Sequence, residues 1–397
     1  MNYDFATRHD RRNTGSFKWD QVQSFDPPLP EDTISMSVAD MDFTLAPEIA
    51  KAIQEYTHDA IPGYTKIWDG YYEAVCRWFT SYWNWDVEPG WIIPTNGVVP
   101  DLYHAVEILT RPRDGVIMFT PTYHPFYSAV REQGRKVAGI NLIEDKGIYT
   151  IDWDAFEEAA ADPNNTVLMF CNPHNPTGRV WSREELERVG GICQEHDLLI
   201  ISDDIHADLI APGHTHTAIA SLSEELADRT VTLTAPSKTF NLAAFKSSNI
   251  VVSNPRFYRL FNDYRQQARI GDPPVTSLVA AEAAYRDGRP WLEELLSVIN
   301  ANDRYIRDAF KRFAPQVTIS PREGTYLLWM DLSKVEADPE KQFKLITREG
   351  RVLPNSGRIF GETGAGWIRI NLATCPETIH EAVRRLENVI TAYKAVL

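Results

Sequence analysis

The sequence contains few cysteines, fewer basic than acidic residues, and no long apolar run. Its 397 residues include four scattered cysteines without a C-x-x-C pair, namely Cys76, Cys171, Cys193 and Cys375. This spacing suggests neither a disulfide framework nor a zinc site. The 40 basic and 55 acidic residues give a net charge of −15, which argues against nucleic-acid and anionic-membrane partners. Because the start, MNYDFATR, is polar and no apolar run approaches membrane-spanning length, we expect a cytoplasmic protein.

Size and patterning predict an α/β fold with more than one lobe. Hydrophobic residues make up 43% and charged residues 24% of the chain, as in soluble globular proteins. From a helix that begins at Pro47 to about Arg286, short apolar strands alternate with helical patterns. This alternation is typical of a mostly parallel sheet covered by helices on both faces. Ser182 opens one of these helices with a capping-box sequence, and a long helix begins near Gly288.

Three of the apolar strands end next to polar residues that could bind a ligand or take part in catalysis. Residues 166–170 (TVLMF) lead to Asn175, residues 198–203 (LLIISD) end in Asp203, and residues 231–234 (VTLT) precede Lys238. The carboxyl ends of parallel strands form the edge of the sheet at which ligands bind. We therefore expect these three side chains to lie close together.

An amine and a carboxylate at one sheet edge suit an aldehyde cofactor that has a pyridine ring and a phosphate. Lys238 could form a Schiff base with the aldehyde, and Asp203 could pair with the ring nitrogen. Each residue also has an ordinary interpretation, because most lysines are solvated and an aspartate here could cap a helix. The neighbouring Asp204 suits that capping role well. Thr95 and the residues after it predict a glycine turn that enters a helix, whose free N–H groups attract anions.

Six motifs follow one another along the chain: SVADMDF (37–43), GYT (63–65), NPHNPTGRVW (172–181), SDDIHADL (202–209), SKTFNLA (237–243) and RIN (369–371). In these motifs and their order the chain resembles the fold-type I enzymes that depend on pyridoxal 5′-phosphate, in the class I/II aminotransferase family. Within them it is most similar to the cystathionine β-lyase/cysteine-S-conjugate lyase subgroup. It implies a large cofactor domain over residues 48–286. It also implies a small α/β domain formed by residues 1–47 and 287–397.

The resemblance also implies roles for individual residues. The catalytic set is Lys238, Asp203 and Tyr123, which would stack on the ring. The implied cofactor-binding residues are Tyr64, Gly97, Val98, Val99, Tyr123, Asn175, Asp203, His206, Ser237, Lys238 and Lys246. The implied substrate-binding residues are Ala39, Tyr64 and Arg369, of which Arg369 would bind the α-carboxylate through its planar fork.

Some positions depart from the family pattern. Lys246 stands where relatives often have arginine, His124 where some have a second tyrosine, and Ala244 where a glycine is frequent. Lysine is a point charge rather than a planar fork, so the sequence alone does not fix how strongly the phosphate is anchored. Tyr64 is similar to a tyrosine that reaches the partner subunit's phosphate, which implies a homodimer with its active site at the subunit interface.

The implied activity is α,β-elimination of L-cystathionine or other cysteine S-conjugates to pyruvate, ammonia and a thiol. An aminotransferase is the nearest alternative, and the histidine at position 206 and the SVADMDF motif favour the lyase. A regulator that binds the cofactor without catalysis is a further alternative, although no helix-turn-helix or basic stripe is evident. His214 and His216 near Asp208 do not make a metal site, because zinc needs a third protein ligand, and we interpret them as loop residues. The preferred sulfur substituent is not determined by these patterns.

Overall fold

The computed structural model describes residues 3–395. Its β-strands are β1 Ile34–Ser35, β2 Ile92–Thr95, β3 Gly115–Thr120, β4 Lys136–Asn141, β5 Ile143–Asp145, β6 Ile148–Thr150, β7 Asn165–Cys171, β8 Leu199–Asp203, β9 Thr230–Thr234, β10 Ser248–Val251, β11 Thr318–Ile319, β12 Leu327–Asp331, β13 Val352–Leu353, β14 Asn355–Ser356 and β15 Trp367–Asn371. Its α-helices are α1 Phe17–Asp20, α2 Pro47–His58, α3 Asp69–Trp78, α4 Val98–Leu109, α5 His124–Arg131, α6 Trp153–Ala161, α7 Arg183–Glu195, α8 Glu224–Arg229, α9 Pro236–Thr239, α10 Pro255–Gln267, α11 Val275–Asp287, α12 Arg289–Phe313, α13 Pro339–Lys344 and α14 Pro376–Lys394.

A seven-stranded sheet in the order β2-β10-β9-β8-β7-β3-β4 forms the centre of the molecule. Strands β9, β8, β7, β3 and β4 pair in parallel, whereas β10 runs antiparallel to both β2 and β9. The predicted fold class, a mostly parallel sheet with helices in a fold-type I arrangement, is confirmed. The carboxyl ends of β7, β8 and β9 consequently meet at one edge.

The central strands are apolar along their whole length because both faces of the sheet are covered. On β3, Val116 and Met118 pack with helices α4 and α5, while Ile117 and Phe119 pack with α6 and α7 on the opposite face. Such continuous apolar runs are typical of parallel strands buried on both sides. Each fully buried aliphatic or aromatic side chain contributes about 1.5–3 kcal/mol relative to exposure, so the sheet forms a rigid support for the residues at its edge.

Local signals set several helix starts as the sequence predicts. Helix α2 begins at Pro47, where proline at the first position loses no hydrogen bond. At α7 the Ser182 side chain accepts from the Glu185 N–H while the Glu185 carboxylate accepts from the Ser182 N–H, a complete capping box. Helix α12 begins directly after Gly288, as expected.

The C-terminal part of the chain forms a second sheet in the order β11-β12-β15-β14. The N-terminal segment joins this part through parallel pairing of β1 with β13 and through a hydrogen bond from the Asn371 N–H to the Met36 carbonyl. The division into residues 48–286 and residues 1–47 plus 287–397 stays a prediction, which these contacts support. Among the described helices, none has both the length and the apolar character that crossing a bilayer requires.

Candidate active site

The edge of the large sheet brings together the residues that the sequence places after its strands. Strand register pairs Cys171 of β7 with Asp203 of β8, and Asp203 with Leu233 of β9. Lys238 lies on α9, immediately beyond β9. Asn175, Asp203 and Lys238 all line one cavity, so the expectation that the three side chains lie close together is confirmed.

The cavity contains most of the residues predicted to form the site. Its walls include Ala39, Gly97, Val98, Val99, Tyr123, Asn175, Asp203, His206, Ser237, Lys238 and Lys246. Arg369 lies directly behind Asn175, with Nη1 donating to Asn175 Oδ1 at 2.8 Å. Tyr64 is placed elsewhere, on the loop between α2 and α3, with its ring fully exposed. One chain therefore assembles the whole predicted set except Tyr64.

Lys238 is held as a reactive amine. Its Nζ donates a hydrogen bond to the Ala39 carbonyl at 2.7 Å. Burial lowers the pKa of Lys238 to about 8, with Arg369 and Lys246 lowering it further and Asp40 and Asp203 opposing them. The next residue, Thr239, donates through Oγ1 to the Asp208 carboxylate at 2.8 Å, which fixes the short helix that carries the lysine. A neutral amine is thus accessible near physiological pH.

Asp203 is a buried carboxylate without a cationic partner. Only 2% of its surface is exposed, and the Ile205 N–H donates to Oδ1 at 3.2 Å. Burial is the main cause that raises the pKa of Asp203 to about 7. Within residues 3–395, no Lys, Arg or His side chain lies within ion-pair distance of this carboxylate. A cationic group entering the cavity would supply the missing partner.

The cavity's other end is suited to an anion. Helix α4 begins there at Val98 without a side-chain cap, after Gly97 with φ 138° and ψ 144°. No hydrogen bond in the described part of the chain uses the N–H groups of Val98 and Val99. These free donors and the positive end of the helix attract negative charge. Ser237 and Lys246 complete this end.

Arg369 is a buried cation that has neutral neighbours. Nη1 donates to Asn175 Oδ1 at 2.8 Å and Nη2 to Asn355 Oδ1 at 2.7 Å. The guanidinium lies 4.6 Å from the centre of the Phe360 ring. Its Nε has no hydrogen-bond partner among the described residues, and burial lowers the pKa of Arg369 to about 10. The carboxylate of a ligand would give the Arg369 guanidinium an anionic partner, which it lacks among the described residues.

Aromatic and imidazole groups next to Asp203 stay neutral. Burial raises the pKa of Tyr123 to about 12, and burial lowers the pKa of His206 well below its usual value. The His206 ring packs edge-on against Tyr326, with ring centres 6.0 Å apart. The Nδ1 of His206 has no hydrogen-bond partner within residues 3–395, so this face of the cavity offers neutral polar groups.

The interpretation of Asp204 as a helix cap was wrong. Asp204 caps no helix, because the residues after it form turns. Instead it is fully buried, it accepts a hydrogen bond from the Ser202 hydroxyl, and its Oδ2 lies 3.2 Å from His216 Nε2. His216 lies in a loop, as predicted, but it is buried against Asp204. The two adjacent acidic residues in SDDIH indicated that one of them is structural, but no local pattern marks its contact with His216 in the following loop.

Asp208 also has a structural environment. Its Oδ1 accepts from Trp78 Nε1 at 2.9 Å and from Trp83 Nε1 at 2.7 Å, and its Oδ2 accepts from Thr239. Three neutral donors therefore surround this carboxylate. The sequence gave no indication of these indole contacts.

The site as a whole fits the pyridoxal 5′-phosphate that the sequence resemblance implies. A primary amine suits the aldehyde, the unpaired carboxylate of Asp203 suits a protonated ring nitrogen, and the uncapped start of α4 suits a phosphate. Asn175, whose Oδ1 is already used by Arg369, keeps its amide hydrogens for an oxygen on the ring.

Comparisons with known proteins agree with this arrangement. The family described as aminotransferase class I and II matches residues 31–386. Cystathionine beta-lyase PatB of Bacillus subtilis (strain 168) is 36% identical over 392 residues, covering 98% of this chain and 100% of that protein. The crystal structure of cystalysin from Treponema denticola, which contains pyridoxal 5′-phosphate, has a TM-score of 0.96 at 39% identity and covers 99% of this chain and 100% of its own. The PLP-bound C-S lyase from Staphylococcus hominis has a TM-score of 0.91 at 30% identity, with 98% of both chains covered.

Proposed function

The chain belongs to the aminotransferase class I and II family, and we propose that it is a pyridoxal-phosphate-dependent carbon–sulfur β-lyase. Its substrates are L-cystathionine or other cysteine S-conjugates, which it cleaves to pyruvate, ammonia and a thiol. The main observation in support is that Lys238, Asp203 and the uncapped start of α4 line one cavity. The similarity to proteins named cystathionine beta-lyase and C-S lyase supports the choice of reaction.

In this proposal each part of the cofactor has its own residues. Lys238 would bind the aldehyde carbon, Asp203 would keep the ring nitrogen protonated, and Tyr123 would pack on the ring. Asn175 would donate to the ring oxygen, and His206 lines the cavity together with Asp203. The phosphate would be bound by the N–H groups of Val98 and Val99, the Ser237 hydroxyl and the Lys246 ammonium. Gly97 would form the turn before them, because its own N–H donates to Ser248 Oγ. When bound, the cofactor supplies a ring that accepts electrons from the substrate Cα.

Arg369 and Lys238 then act on the amino acid. The guanidinium of Arg369, oriented by Asn175 and Asn355, binds the α-carboxylate and fixes the direction of the Cα–H bond. The Lys238 amine, which lines the same cavity, would take the Cα proton of the substrate that Arg369 holds. Ala39, whose carbonyl accepts from Nζ, keeps the amine in place. The Cβ–S bond breaks as a thiolate leaves, and the released enamine hydrolyses to pyruvate and ammonia.

The enzyme works as a homodimer in this proposal, with the active site at the subunit interface. Tyr64 is the support, since it is fully exposed on a loop that also exposes 91% of Ile61. Large exposed apolar side chains that lie together mark interaction surfaces. From a second copy, Tyr64 completes the phosphate and substrate site. A cytoplasmic location belongs to the same proposal and stays a prediction.

Purified protein incubated with L-cystathionine, with separate assays for pyruvate and free thiol, tests the reaction. We expect both products without an added keto acid, and we expect Lys238→Ala to abolish them together with the absorption of lysine-bound cofactor. Lys51→Ala is the control, because this side chain is 73% exposed. Amine transfer that depends on a keto acid and releases no thiol would identify an aminotransferase instead. Cofactor binding without either reaction would favour a regulator.

A further inference from the structure

Behind the phosphate end of the cavity lies a buried polar cluster, made of Thr95, Asp101 and Ser248, that does not line the cavity itself. Thr95 Oγ1 donates to Asp101 Oδ2 at 2.6 Å, and Ser248 Oγ donates to the same oxygen at 2.9 Å. The two hydroxyl oxygens lie 2.7 Å apart. Thr95 and Ser248 are opposite each other in the β2–β10 pair, so this cluster ties two strands to helix α4.

The cluster fixes the peptide groups on both sides of Gly97. The Gly97 N–H donates to Ser248 Oγ at 2.6 Å, and the Gly97 carbonyl accepts from the Asp101 N–H at 3.2 Å. Gly97 has a φ of 138°, a conformation that residues with a side chain rarely adopt. The Gly97 N–H is thus held by the Ser248 side chain, whereas the Gly97 carbonyl accepts the first backbone hydrogen bond of α4, and the two bonds together hold this unusual turn.

The orientation of Gly97 decides where the next amides point. Val98 and Val99 follow as the first residues of α4 and line the cavity with it. Without the bond to Ser248, the Gly97 N–H would be a buried donor with no partner, or the turn would rotate to satisfy it. Either change costs phosphate binding, because an anion site made of backbone N–H groups works only when they are pre-oriented.

Burying this polar cluster lowers the stability of the folded state. Asp101 and Ser248 are completely buried, and burial raises the pKa of Asp101 to about 7. The other carboxyl oxygen, Oδ1, has no hydrogen-bond partner among the described residues, although His104 Nδ1 is 3.9 Å away. An apolar contact at this position would be cheaper for stability alone. A functional gain at the adjacent turn accounts for a buried acceptor that binds both hydroxyls.

We infer that Ser248 and Asp101 are positioning residues for the cofactor's phosphate group, which act by fixing the Gly97 turn without contacting the ligand. The inference rests on the proposed function, since it requires that this end of the cavity binds the phosphate. It predicts a defect specific to the phosphate group and leaves the interactions of Lys238 and Asp203 with the rest of the cofactor intact.

The test compares two ligands on apoprotein: pyridoxal 5′-phosphate and pyridoxal, which lacks the phosphate. We expect Ser248→Ala to weaken pyridoxal 5′-phosphate binding by about tenfold, the usual effect of leaving one buried donor unpaired, and to leave pyridoxal binding within about twofold. Dissociation constants come from titrations followed by tryptophan fluorescence. Thr232→Val is the matched control, because its buried hydroxyl on β9 has no hydrogen-bond partner in residues 3–395.

Equal losses for both ligands, or no loss for either, would overturn the inference. If Ser248→Ala does not fold, Thr95→Val serves instead, since it keeps the side-chain shape and removes only a hydroxyl that binds Asp101. Asp101→Asn should keep the preference for the phosphate form, because an amide oxygen still accepts from both hydroxyls. Failure of the proposed function would give a different result, in which the unsubstituted protein itself binds no pyridoxal 5′-phosphate.

Discussion

Lys238 Nζ donates a hydrogen bond at 2.7 Å to the carbonyl oxygen of Ala39, a residue 199 positions earlier in the chain. This contact connects the large sheet to the N-terminal segment that packs with the C-terminal strands. The segment is held by Asn371, whose side-chain amide donates to the carbonyls of Val38 and Asp40. The position of the amine thus depends on both parts of the chain, and its charge depends on the same segment through Asp40.

The first prediction concerns the pH dependence of cofactor incorporation. The Lys238 amine must be neutral to react with an aldehyde, and its pKa is lowered to about 8 mainly by burial. We therefore expect the rate of pyridoxal 5′-phosphate uptake by apoprotein to rise with pH and to reach half its plateau near pH 8. Stopped-flow absorbance of the lysine-bound cofactor measures this rate.

The carboxylate of Asp40 provides a check on that assignment. Because Asp40 raises the pKa of Lys238, Asp40→Asn should move the midpoint of the profile to lower pH. Asp59→Asn is the control, since that side chain is 91% exposed on the surface. An unchanged midpoint in Asp40→Asn would show that another group controls the reaction.

The second prediction concerns the stability of the apoprotein. Asp203 has its pKa raised to about 7, so the folded state binds more protons than the unfolded state between about pH 4 and pH 7. Its contribution to folding stability is therefore lost as pH rises through this range. We expect Asp203→Asn apoprotein to be more stable than the unsubstituted apoprotein at pH 8, by on the order of 4 kcal/mol, with little difference at pH 4.

Urea unfolding at the two pH values measures the effect. The same substitution should reduce lyase turnover strongly, because an amide does not keep the ring nitrogen protonated. Asp145→Asn, at an exposed position on β5, should change neither quantity. A loss of apoprotein stability at pH 8 in Asp203→Asn would contradict the interpretation that this carboxylate is kept for the cofactor.

The third prediction tests whether Arg369 requires the planar geometry of its guanidinium group or only its positive charge. Arg369 uses two nitrogens to reach Asn175 and Asn355, and a lysine ammonium cannot reproduce this planar geometry. We expect Arg369→Lys to lower kcat/KM for L-cystathionine by about 100-fold or more, in line with the cost of disrupting a buried, hydrogen-bonded charge pair. Cofactor affinity should change much less.

Steady-state kinetics and a cofactor titration measure both quantities. Arg358→Lys is the matched control, because Arg358 pairs with Glu340 on the surface, where both side chains are more than half exposed. If Arg369→Lys keeps the normal kcat/KM, the substrate carboxylate binds elsewhere.

The sequence predicts the placement of a site residue well when that residue closely follows a strand of the large sheet. Asn175, Asp203 and Lys238 were predictable because parallel strands end at one edge, and an apolar run identifies each strand. Helix α4 was also predictable from the glycine at position 97. Each of these patterns is local in sequence. The parallel pairing of the strands then places the residues that follow them close together.

The missed residues are defined by contacts that leave no local sequence pattern. His216 lies against Asp204, and Asn355 serves both Arg369 and the Val38 N–H at 3.0 Å. Ser248 binds a turn 151 positions earlier. Serine, asparagine and histidine are common in loops and strands, so no local pattern separates these from ordinary polar residues. Only the three-dimensional packing shows which of them are buried and what they contact.

The fourth prediction tests whether two subunits share each active site. If Tyr64 acts in the partner's site, Tyr64→Ala and Lys238→Ala subunits are each inactive alone but complement each other in a mixed dimer. One of the two sites in that dimer has both native residues, since Tyr64 comes from the Lys238→Ala subunit and Lys238 from the Tyr64→Ala subunit. After random mixing of equal amounts, half of the dimers are mixed, so about a quarter of all sites are intact.

We therefore expect unfolding and refolding of the mixed variants to restore about a quarter of the normal pyruvate release. Each variant refolded alone provides the baseline, and Tyr82→Ala, at another exposed tyrosine, tests whether loss of any surface ring has the same effect. No recovery on mixing, with cofactor binding intact in Tyr64→Ala, would mean that each chain forms its site alone. Recovery requires a site made by two chains, because neither variant carries both side chains and no rearrangement within one subunit can supply the missing one.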